Sequence, residues 1–253
     1  MNNYNDSKKS YTEIFNQRGL DYHKAMLLLP NARDNEFKNI ISEFNIVPQM
    51  TIVDMPSGGN YLKNYLPENV SIVPLETSEI FAKLGGTQVC QWSSLPLDSN
   101  SVDVVLCCAA FHHVEPDDRL KFREEVTRIL KPNGKLVIAD VQVGTAVDAY
   151  LNTFVNENNS MGHLGWFLDD SFGSNYQTNS LILKSNKVKE FPWYFTDDLE
   201  LSMTYMKLLF GIDKASTKQI VAYLKDHLGL KKTDENIFMI NWCLRYVTFS
   251  KKE

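Results

Sequence analysis

The sequence predicts an α/β fold, in which a Rossmann-like, doubly wound and mostly parallel sheet carries helical caps. Two observations predict it. Short apolar runs alternate with segments of helical period through the middle of the chain, which is typical of a parallel sheet covered by helices. The stretch "TIVDMPSGGNYL" (residues 51–62) is an apolar run that ends in an acid and a glycine turn. In such a sheet ligands bind beyond the carboxyl ends of the strands, so we search there for the functional residues.

Four strands and three helices are predicted in β-α-β order. The strands cover residues 51–54, 71–76, 102–108 and 135–141, and the helices lie near residues 60–66, 78–84 and 117–130. The third helix, "DDRLKFREEVTRIL", carries acids early and is followed by "KPNG", a stop signal with Pro and Gly in the expected places. This order favours a doubly wound sheet.

Helical segments flank the predicted sheet. The first 50 residues have helical period, broken at Gly19 and Pro30, and either pad the sheet or cap the ligand site. After residue 141, an Asn-, Ser- and Gly-rich region (152–180) predicts a mobile loop followed by a poor helix. A strand in "KVKEFPWYF", helices near 197–210 and 216–228 and a strand within "IFMINWCLRYVTFS" complete the chain. We predict one domain, 1–253, with helical caps at about 1–35 and 194–235.

Composition limits the function classes. The 253 residues are 43% hydrophobic, enough for one sizeable core, and the formal charge of -5 argues against nucleic acid as a partner. The four cysteines form no CxxC pair, which favours reduced thiols in the cytoplasm. Neither a signal-length apolar segment nor a run of eighteen apolar residues occurs, so no membrane partner is expected. No His/Cys/Asp/Glu group has metal-ligand spacing, so we expect no metal.

An acid follows the second predicted strand. Glu76 lies 22 residues beyond Asp54, where a carboxylate can accept hydrogen bonds from both hydroxyls of a ribose. This spacing fits NAD as well as other adenosine ligands. The alternative is a solvated acid in a loop.

The glycines distinguish between these ligands. A dinucleotide fingerprint needs G-x-G-x-x-G so that a pyrophosphate can approach the backbone, whereas Pro56, Gly58 and Tyr61 occupy the matching positions. The chain also lacks GxxxxGK[ST]. A ligand without phosphates makes fewer demands on such a turn, and an NAD-dependent reductase conflicts with Pro56 and Tyr61.

Four stretches resemble a known family when they are taken in order. "TIVDMPSGGNYL", "PLETSE", "CQWSSLPLDSNSVDVVLCCAAFHHVEP" and "EEVTRILKPNGKLVIADV" are similar to the successive motifs of class I S-adenosylmethionine-dependent methyltransferases. The similarity is strongest to the small-molecule branch that includes ubiquinone and menaquinone methyltransferases. It covers residues from about 45 to 142. The pair "LPLDSNSVDVV" and "RILKPNGKLVIADV" makes the match specific.

The resemblance implies S-adenosylmethionine as the cofactor and assigns residues to it. The residues placed against the cofactor are Asp54, Ser57, Gly58, Gly59, Glu76, Thr77, Gln91, Trp92 and Ala109. In that assignment Glu76 holds the ribose, Gln91 accepts from the adenine amino group, and Ala109 flanks the sulfonium. Two positions depart from the family, because Pro56 replaces its first glycine and Asn60 its third.

The acceptor side is predicted from histidines and aromatic residues. Methyl transfer needs a base only where the acceptor must lose a proton, and His113 is the first candidate for this role, followed by His112. Both are also plausible structural histidines. The predicted substrate-binding residues are Tyr11, Tyr22, His23, Arg33 and His163.

The predicted function is S-adenosylmethionine-dependent methyl transfer to a small molecule in cytoplasmic secondary metabolism. Two alternatives keep the cofactor: a cyclisation or elimination reaction, and a binding module that has lost catalysis. The sequence specifies neither the acceptor atom nor the oligomeric state, and a homodimer is compatible with it.

Overall fold

The computed structural model describes residues 8–253, which build an eight-stranded sheet. Its strand order is β3-β2-β1-β4-β5-β8-β6, with β7 paired to β8. The strands are β1 (Thr51–Asp54), β2 (Ser71–Glu76), β3 (Gln88–Val89), β4 (Val102–Cys108), β5 (Leu130–Asp140), β6 (Leu181–Tyr194), β7 (Lys231–Lys232) and β8 (Phe238–Lys251). The first five run parallel, and β8 runs antiparallel to β5 and β6. The predicted Rossmann-like, mostly parallel sheet is confirmed.

Helices cover both faces of the sheet. They are α1 (Tyr11–Leu28), α2 (Asp34–Ile41), α3 (Glu79–Gly85), α4 (Pro116–Ile129), α5 (Ala146–Ala149), α6 (Asn156–Asn158), α7 (Phe172–Tyr176), α8 (Leu199–Phe210) and α9 (Thr217–Leu228). Ser10 begins α1 with a capping box, since its hydroxyl accepts from the amide of Glu13 and the Glu13 side chain accepts in return from the Ser10 amide. The start of α1 is therefore determined locally, by Ser10 and Glu13.

Three segments differ from the sequence prediction. The helix predicted near 60–66 is a 3-10 turn at Leu62–Tyr65. The "KPNG" stretch lies inside β5 rather than ahead of it, with Asn133 in a left-handed conformation (φ 64°). Residues 152–180, which the sequence predicts as a mobile loop and a poor helix, begin in a helix instead. A π-helical turn at Tyr150–Val155 joins α5 to α6. Its Tyr150 ring is fully buried, so tertiary packing overrides the weak local pattern.

The two faces of the sheet form two apolar cores. Alternation along β1 sends Ile52 to one core and Val53 to the other. The Ile52 core includes residues of α2, α8 and α9, and the Val53 core includes residues of α3 and α4. Because the strands between them are buried on both sides, the carboxyl ends of β1, β2, β4 and β5 are held firmly at one edge.

Two helices pack on each other at that edge, one from each segment that the sequence predicts to be a cap. Helix α1 packs on α8, and the Arg18 guanidinium donates to the carbonyl oxygens of Leu208, at 3.2 Å, and Leu209 in the last turn of α8. A cation is favourable at a helix carboxyl terminus, so this contact fastens the caps to each other. The start of the amino-terminal cap, residues 1–7, lies outside the described residues. Among residues 8–253, no helix has the length and apolar character needed to cross a membrane.

Candidate active site

The turn after β1 contacts the acid at the end of β2. Gly58 has a φ of +55°, and its amide donates to Glu76 Oε2 at 2.7 Å. The amide of Ser57 donates to the Leu75 carbonyl at 2.8 Å. A left-handed φ favours glycine, which explains why a glycine stands at this point of the turn. The structure therefore brings Gly58 and Glu76 into direct contact.

Glu76 is fully buried and surrounded by donors. Its carboxylate accepts from the amides of Gly58, Thr77 and Ser78 and from the Tyr11 hydroxyl, at 2.7 to 3.2 Å. Burial raises the pKa of Glu76 to about 7, although these hydrogen bonds act in the opposite direction. Burial, and then the neighbouring Glu76, raise the pKa of Asp54 well above its usual range. Two buried acids side by side favour a cationic ligand and disfavour phosphates.

A cavity beside Asp54 matches S-adenosylmethionine in charge but is too small for it in this conformation. It is lined by residues that include Asp54, Ser57, Gly58 and Ala109, and the Ser57 Oγ is buried with no hydrogen-bond partner within residues 8–253. The cofactor carries a sulfonium and an ammonium group, which match the acids, and its polar groups can satisfy Ser57. The cavity encloses only about 50 Å³ because α1 covers it, so α1 must shift to admit a nucleoside.

Other residues assigned to the cofactor have varied surroundings. Thr77 Oγ1 accepts from Thr12 Oγ1 at 2.9 Å. A Cβ on Gly59 would lie 2.4 Å from Tyr61 Oη, so a larger residue here would displace the Tyr61 side chain. Gln91 is exposed. Trp92 packs edge-on against Phe122 in the core that contains Val53. Neither Gln91 nor Trp92 lines the cavity in this conformation.

The turn after β4 carries a histidine held by an acid. Ala109 is left-handed (φ 50°) and leads into a 3-10 turn, Phe111–His113. His112 Nδ1 lies 2.7 Å from Asp140 Oδ1, and Asp140 also accepts from the amides of His112 and Val141. Burial acts to raise the pKa of Asp140, but His112 and the hydrogen bonds outweigh it and lower the pKa. Asp140 is therefore a carboxylate, and His112 Nδ1–H donates to it, leaving Nε2 free.

Three histidines meet at this point. The ring centroid of His113 lies 4.0 Å from that of His112 and 4.9 Å from that of His163. Burial, followed by the neighbouring histidines and Arg18, lowers the pKa of His113 well below its usual range; burial and then His112 lower that of His163 to about 3. Both rings are neutral at neutral pH. Spacing along the chain hides the cluster, because His163 belongs to a loop far downstream of β4.

The histidines line a second cavity, which we name the acceptor cavity. Its wall is mainly apolar and aromatic, with Trp193, Phe210 and Trp242 opposite the histidines, and Arg18 also contributes. Four residues line both this cavity and the cofactor cavity: Phe15, Tyr22, Arg33 and Ala109. The two spaces therefore adjoin at the carboxyl end of β4.

The predicted substrate residues divide between these spaces. Tyr22 and Arg33 line both cavities, and Arg33 pairs with the buried Glu36 and donates to the Tyr22 hydroxyl. Tyr11 lies on the cofactor side, on Glu76. His23 Nδ1 lies 2.8 Å from Tyr61 Oη, and His23 lines neither cavity.

The sequence did not indicate three polar residues of this site: Arg18 and Glu36, which line the acceptor cavity, and Asp140, which holds His112. Asp140 had a usable signal, since it is an isolated acid near the end of the apolar run "KLVIADV". Arg18 and Glu36 lie in helices whose polar residues look like an ordinary solvated face. Their burial depends on how α1 and α2 pack, which the local pattern does not reveal.

The fold defines a class of protein: a Rossmann-like α/β domain that buries acids at the carboxyl ends of its strands. Residues 57–138 match a family model described as a methyltransferase domain. An uncharacterized methyltransferase of Schizosaccharomyces pombe is 30% identical over 105 residues, which are 38% of this chain and 41% of that protein. The chain thus spans about two fifths of that relative.

Solved structures agree with this class. The YcgJ protein of Bacillus subtilis superimposes with a TM-score of 0.59 at 14% identity, covering 87% of this chain and 99% of that one. A Thermotoga maritima SAM-dependent methyltransferase, described as a possible histamine N-methyltransferase, gives 0.57 at 15% identity, covering 96% and 100%. At these identities the likeness concerns the fold. With the match over residues 57–138, it supports the resemblance to class I S-adenosylmethionine-dependent methyltransferases.

Proposed function

We propose that this protein transfers the methyl group of S-adenosylmethionine to a small-molecule acceptor. The shared wall of the two cavities carries the proposal: Ala109 lines both, at the end of β4. A cofactor on one side and an acceptor on the other would meet at this residue. Holding an attacking atom in line with the methyl carbon, at about 3 to 3.5 Å, supplies roughly 7 to 11 kcal/mol of catalysis.

The chain's own residues divide the work. S-adenosylmethionine supplies an electrophilic methyl group when it is bound. Asp54, Ser57 and Glu76 hold its cationic and hydroxyl groups at the turn after β1. His112 Nε2 accepts a proton from the acceptor, while Asp140 fixes the ring and stabilises its charged form. This reverses our sequence-based order, because His113 has no acid partner among the described residues and its pKa is lowered.

The acceptor cavity supports a small and partly aromatic acceptor. It lies under α1 and α8, and its wall carries Trp193, Phe210 and Trp242. A polymer would need an open groove, whereas an enclosed apolar space with a few polar groups suits a small ligand. The four cysteines are free and three are buried, which supports a reducing compartment such as the cytoplasm.

Calorimetry followed by mass spectrometry tests the proposal. We expect S-adenosylmethionine and S-adenosylhomocysteine to bind and NAD not to bind. Incubation with panels of phenols, amines, thiols and carboxylic acids should then release S-adenosylhomocysteine together with one methylated acceptor. Methylthioadenosine in place of S-adenosylhomocysteine would support cyclisation or elimination. Binding of NAD without binding of S-adenosylmethionine would overturn the proposal. If the double variant His112→Gln/His113→Gln left every turnover unchanged, the result would point to a binding module.

A further inference from the structure

We propose that His112, His113 and His163 form a binding site for a divalent transition-metal ion at the edge of the acceptor cavity. One ring nitrogen from each of the three lies within 4.8 Å of the others. In a tetrahedral zinc site, bond lengths of about 2.0–2.1 Å place ligand nitrogens about 3.3 Å apart. Side-chain movements of roughly 1.5 Å therefore bring the three nitrogens to ligand distance.

Asp140 gives the cluster the support that metal-binding histidines usually have. It accepts from His112 Nδ1–H at 2.7 Å, which fixes the tautomer and directs the lone pair of Nε2 away from Asp140. A carboxylate behind the histidine orients the ring and raises its basicity as a ligand. Asp140 is fully buried and also held by two backbone amides, so this orientation is rigid.

The other two histidines have buried nitrogens that nothing in the protein satisfies. His113 Nδ1 and His163 Nδ1 have no hydrogen-bond partner within residues 8–253, and these two residues are 3% and 6% exposed. An unpaired buried polar atom costs about 1 to 3 kcal/mol. Two such atoms in one cluster point to a ligand, because packing among the described residues gives neither nitrogen a hydrogen-bond partner.

The donor set indicates which ions would bind. Neutral imidazole suits zinc, iron, copper and nickel, whereas magnesium and calcium prefer oxygen ligands. Three protein ligands leave a position open, which distinguishes a catalytic metal site from a closed structural one. That position faces the acceptor cavity, since all three histidines line it.

The charge around the cluster indicates the fourth ligand. Arg18 lines the acceptor cavity together with the three histidines, so its positive charge acts on the site, with Asp140 opposing it behind His112. A metal ion beside Arg18 would favour an anionic fourth ligand. His163 also lines a polar surface cavity of about 360 Å³ with Lys8, Lys9 and Lys214, which would attract an anion to this side.

The acceptor's ionised oxygen or sulfur is the fourth ligand that we infer. A metal ion lowers the pKa of a bound hydroxyl or thiol and fixes its position, so the acceptor would reach the methyl group already deprotonated, its proton having passed to solvent. His112 Nε2 is a ligand in this arrangement, so the bound ion would replace His112 as the group that makes the acceptor lose its proton. This role rests on the proposed methyl transfer, whereas metal binding itself does not.

Calorimetry and spectroscopy with Zn²⁺ and Co²⁺ alone test the site. Untagged full-length protein is stripped with a chelator and titrated without cofactor. We expect one ion per chain, and with Co²⁺ the visible absorption of a four-coordinate complex. His163→Gln should weaken Zn²⁺ binding at least 100-fold. Asp140→Asn should weaken it 10- to 100-fold, the usual effect of losing a carboxylate behind a ligating histidine. The control is His227→Gln, which changes a histidine of α9 outside the cluster and should bind as the parent does.

The outcomes separate the two proposals. Binding that is absent, or equal in the parent and His163→Gln, would overturn the metal site. Thermal unfolding of each variant without metal checks that a loss is not misfolding. The metal-free protein is also titrated with S-adenosylmethionine. If it binds cofactor but no metal, the methyltransferase proposal stands alone; if it binds metal but no cofactor, the metal site stands alone.

Discussion

The two halves of the site are built from different parts of the chain. The cofactor half uses β1, the turn at Gly58 and the end of β2, so its acids Asp54 and Glu76 come from one β-α-β unit. The acceptor half combines His112, Asp140 and His163, from the ends of β4 and β5 and a distant loop. The first half is local in sequence, whereas the second joins residues that lie far apart in the chain.

The two halves also differ in electrostatics. Two buried acids dominate the cofactor half, whereas the acceptor half has neutral imidazoles and Arg18. A cationic sulfonium suits the first environment, and an electron-rich or anionic acceptor suits the second. Each half thus favours one of the two reactants of a methyl transfer.

The largest effect is expected on the acceptor half. Asp140→Asn should lower kcat about 10²- to 10⁴-fold, because His112 loses the group that fixes its tautomer and stabilises its charged form. The dissociation constant of S-adenosylmethionine should stay within twofold, since Asp140 lies outside the cofactor cavity. Steady-state kinetics and calorimetry measure the two quantities.

The exposed Asp98 supplies the control, because Asp98→Asn removes an acid far from the histidines. It should leave both quantities unchanged. If Asp140→Asn instead weakened cofactor binding as much as it lowered kcat, the separation of the two halves would be wrong.

The next effect concerns the pH dependence of the cofactor half. The pKa of Glu76 is about 7 in the folded protein, so Glu76 is protonated below that pH and loses its attraction for a cation. We expect S-adenosylmethionine to bind up to about tenfold more weakly for each pH unit below 7, and to bind almost independently of pH above it. Calorimetry between pH 5 and 9 measures the profile.

Glu76→Gln should flatten this profile and weaken binding about tenfold or more at pH 8. The Glu76 carboxyl also makes the free energy of unfolding depend on pH. Its folded pKa lies above the ordinary 4.5, so its contribution to the free energy of unfolding is greatest below about pH 4.5 and is lost as the pH rises to 7. An unaltered slope in Glu76→Gln would assign the titration to another group, with Asp54 as the first candidate.

A paired glycine test sharpens the comparison within the cofactor half. Gly58 and Gly86 both have a left-handed φ, +55° and +62°, and a Cβ at either position meets no close contact. Alanine at each should reduce the free energy of unfolding by about 1 to 2 kcal/mol through backbone strain. Only Gly58→Ala should also weaken S-adenosylmethionine binding, by about fivefold, because strain in the turn displaces the amide that donates to Glu76.

Denaturant unfolding and calorimetry of both variants measure this difference. If Gly86→Ala, at the end of α3, weakened cofactor binding equally, the loss would reflect general destabilisation rather than the turn.

The predictability of the site follows the same division. The sheet and the approach of the turn after β1 to Glu76 were predictable, because strand period and the spacing of 22 residues between Asp54 and Glu76 record them locally. The approach of His163 to His112 was not, because it depends on how a loop folds back over β4. Sequence distance also hid the burial of Arg18, which the carboxyl end of α8 fixes.

The prediction for Gln91 and Trp92 shows a different limit. The resemblance assigns both to the adenine, but Gln91 is exposed and Trp92 packs against Phe122. The motif gives their place in the chain, but it does not reveal that Trp92 packs against Tyr11 and Phe122 in the core. Their role therefore stays a prediction for the cofactor-bound conformation.

The smallest effect concerns Tyr11, which occupies the acid that the ribose would use. Its hydroxyl donates to Glu76 Oε2 at 3.2 Å and holds α1 over the cavity. A hydrogen bond of this kind contributes about 0.5 to 1.5 kcal/mol. Tyr11→Phe should therefore make opening easier and tighten S-adenosylmethionine binding about two- to fivefold, mainly through faster association. Stopped-flow fluorescence and calorimetry measure the rate and the affinity.

Tyr65→Phe is the matched control, since the Tyr65 hydroxyl also donates to an acid, Asp34, at 2.7 Å, and lies outside both cavities. It should change neither the rate nor the affinity. Weaker binding in Tyr11→Phe would mean that the hydroxyl stays on Glu76 beside the bound ribose. In that case α1 is part of the cofactor site and does not have to move away when the cofactor binds. The boundary between the cofactor half and the acceptor half then lies at Phe15 and Tyr22, which line both cavities.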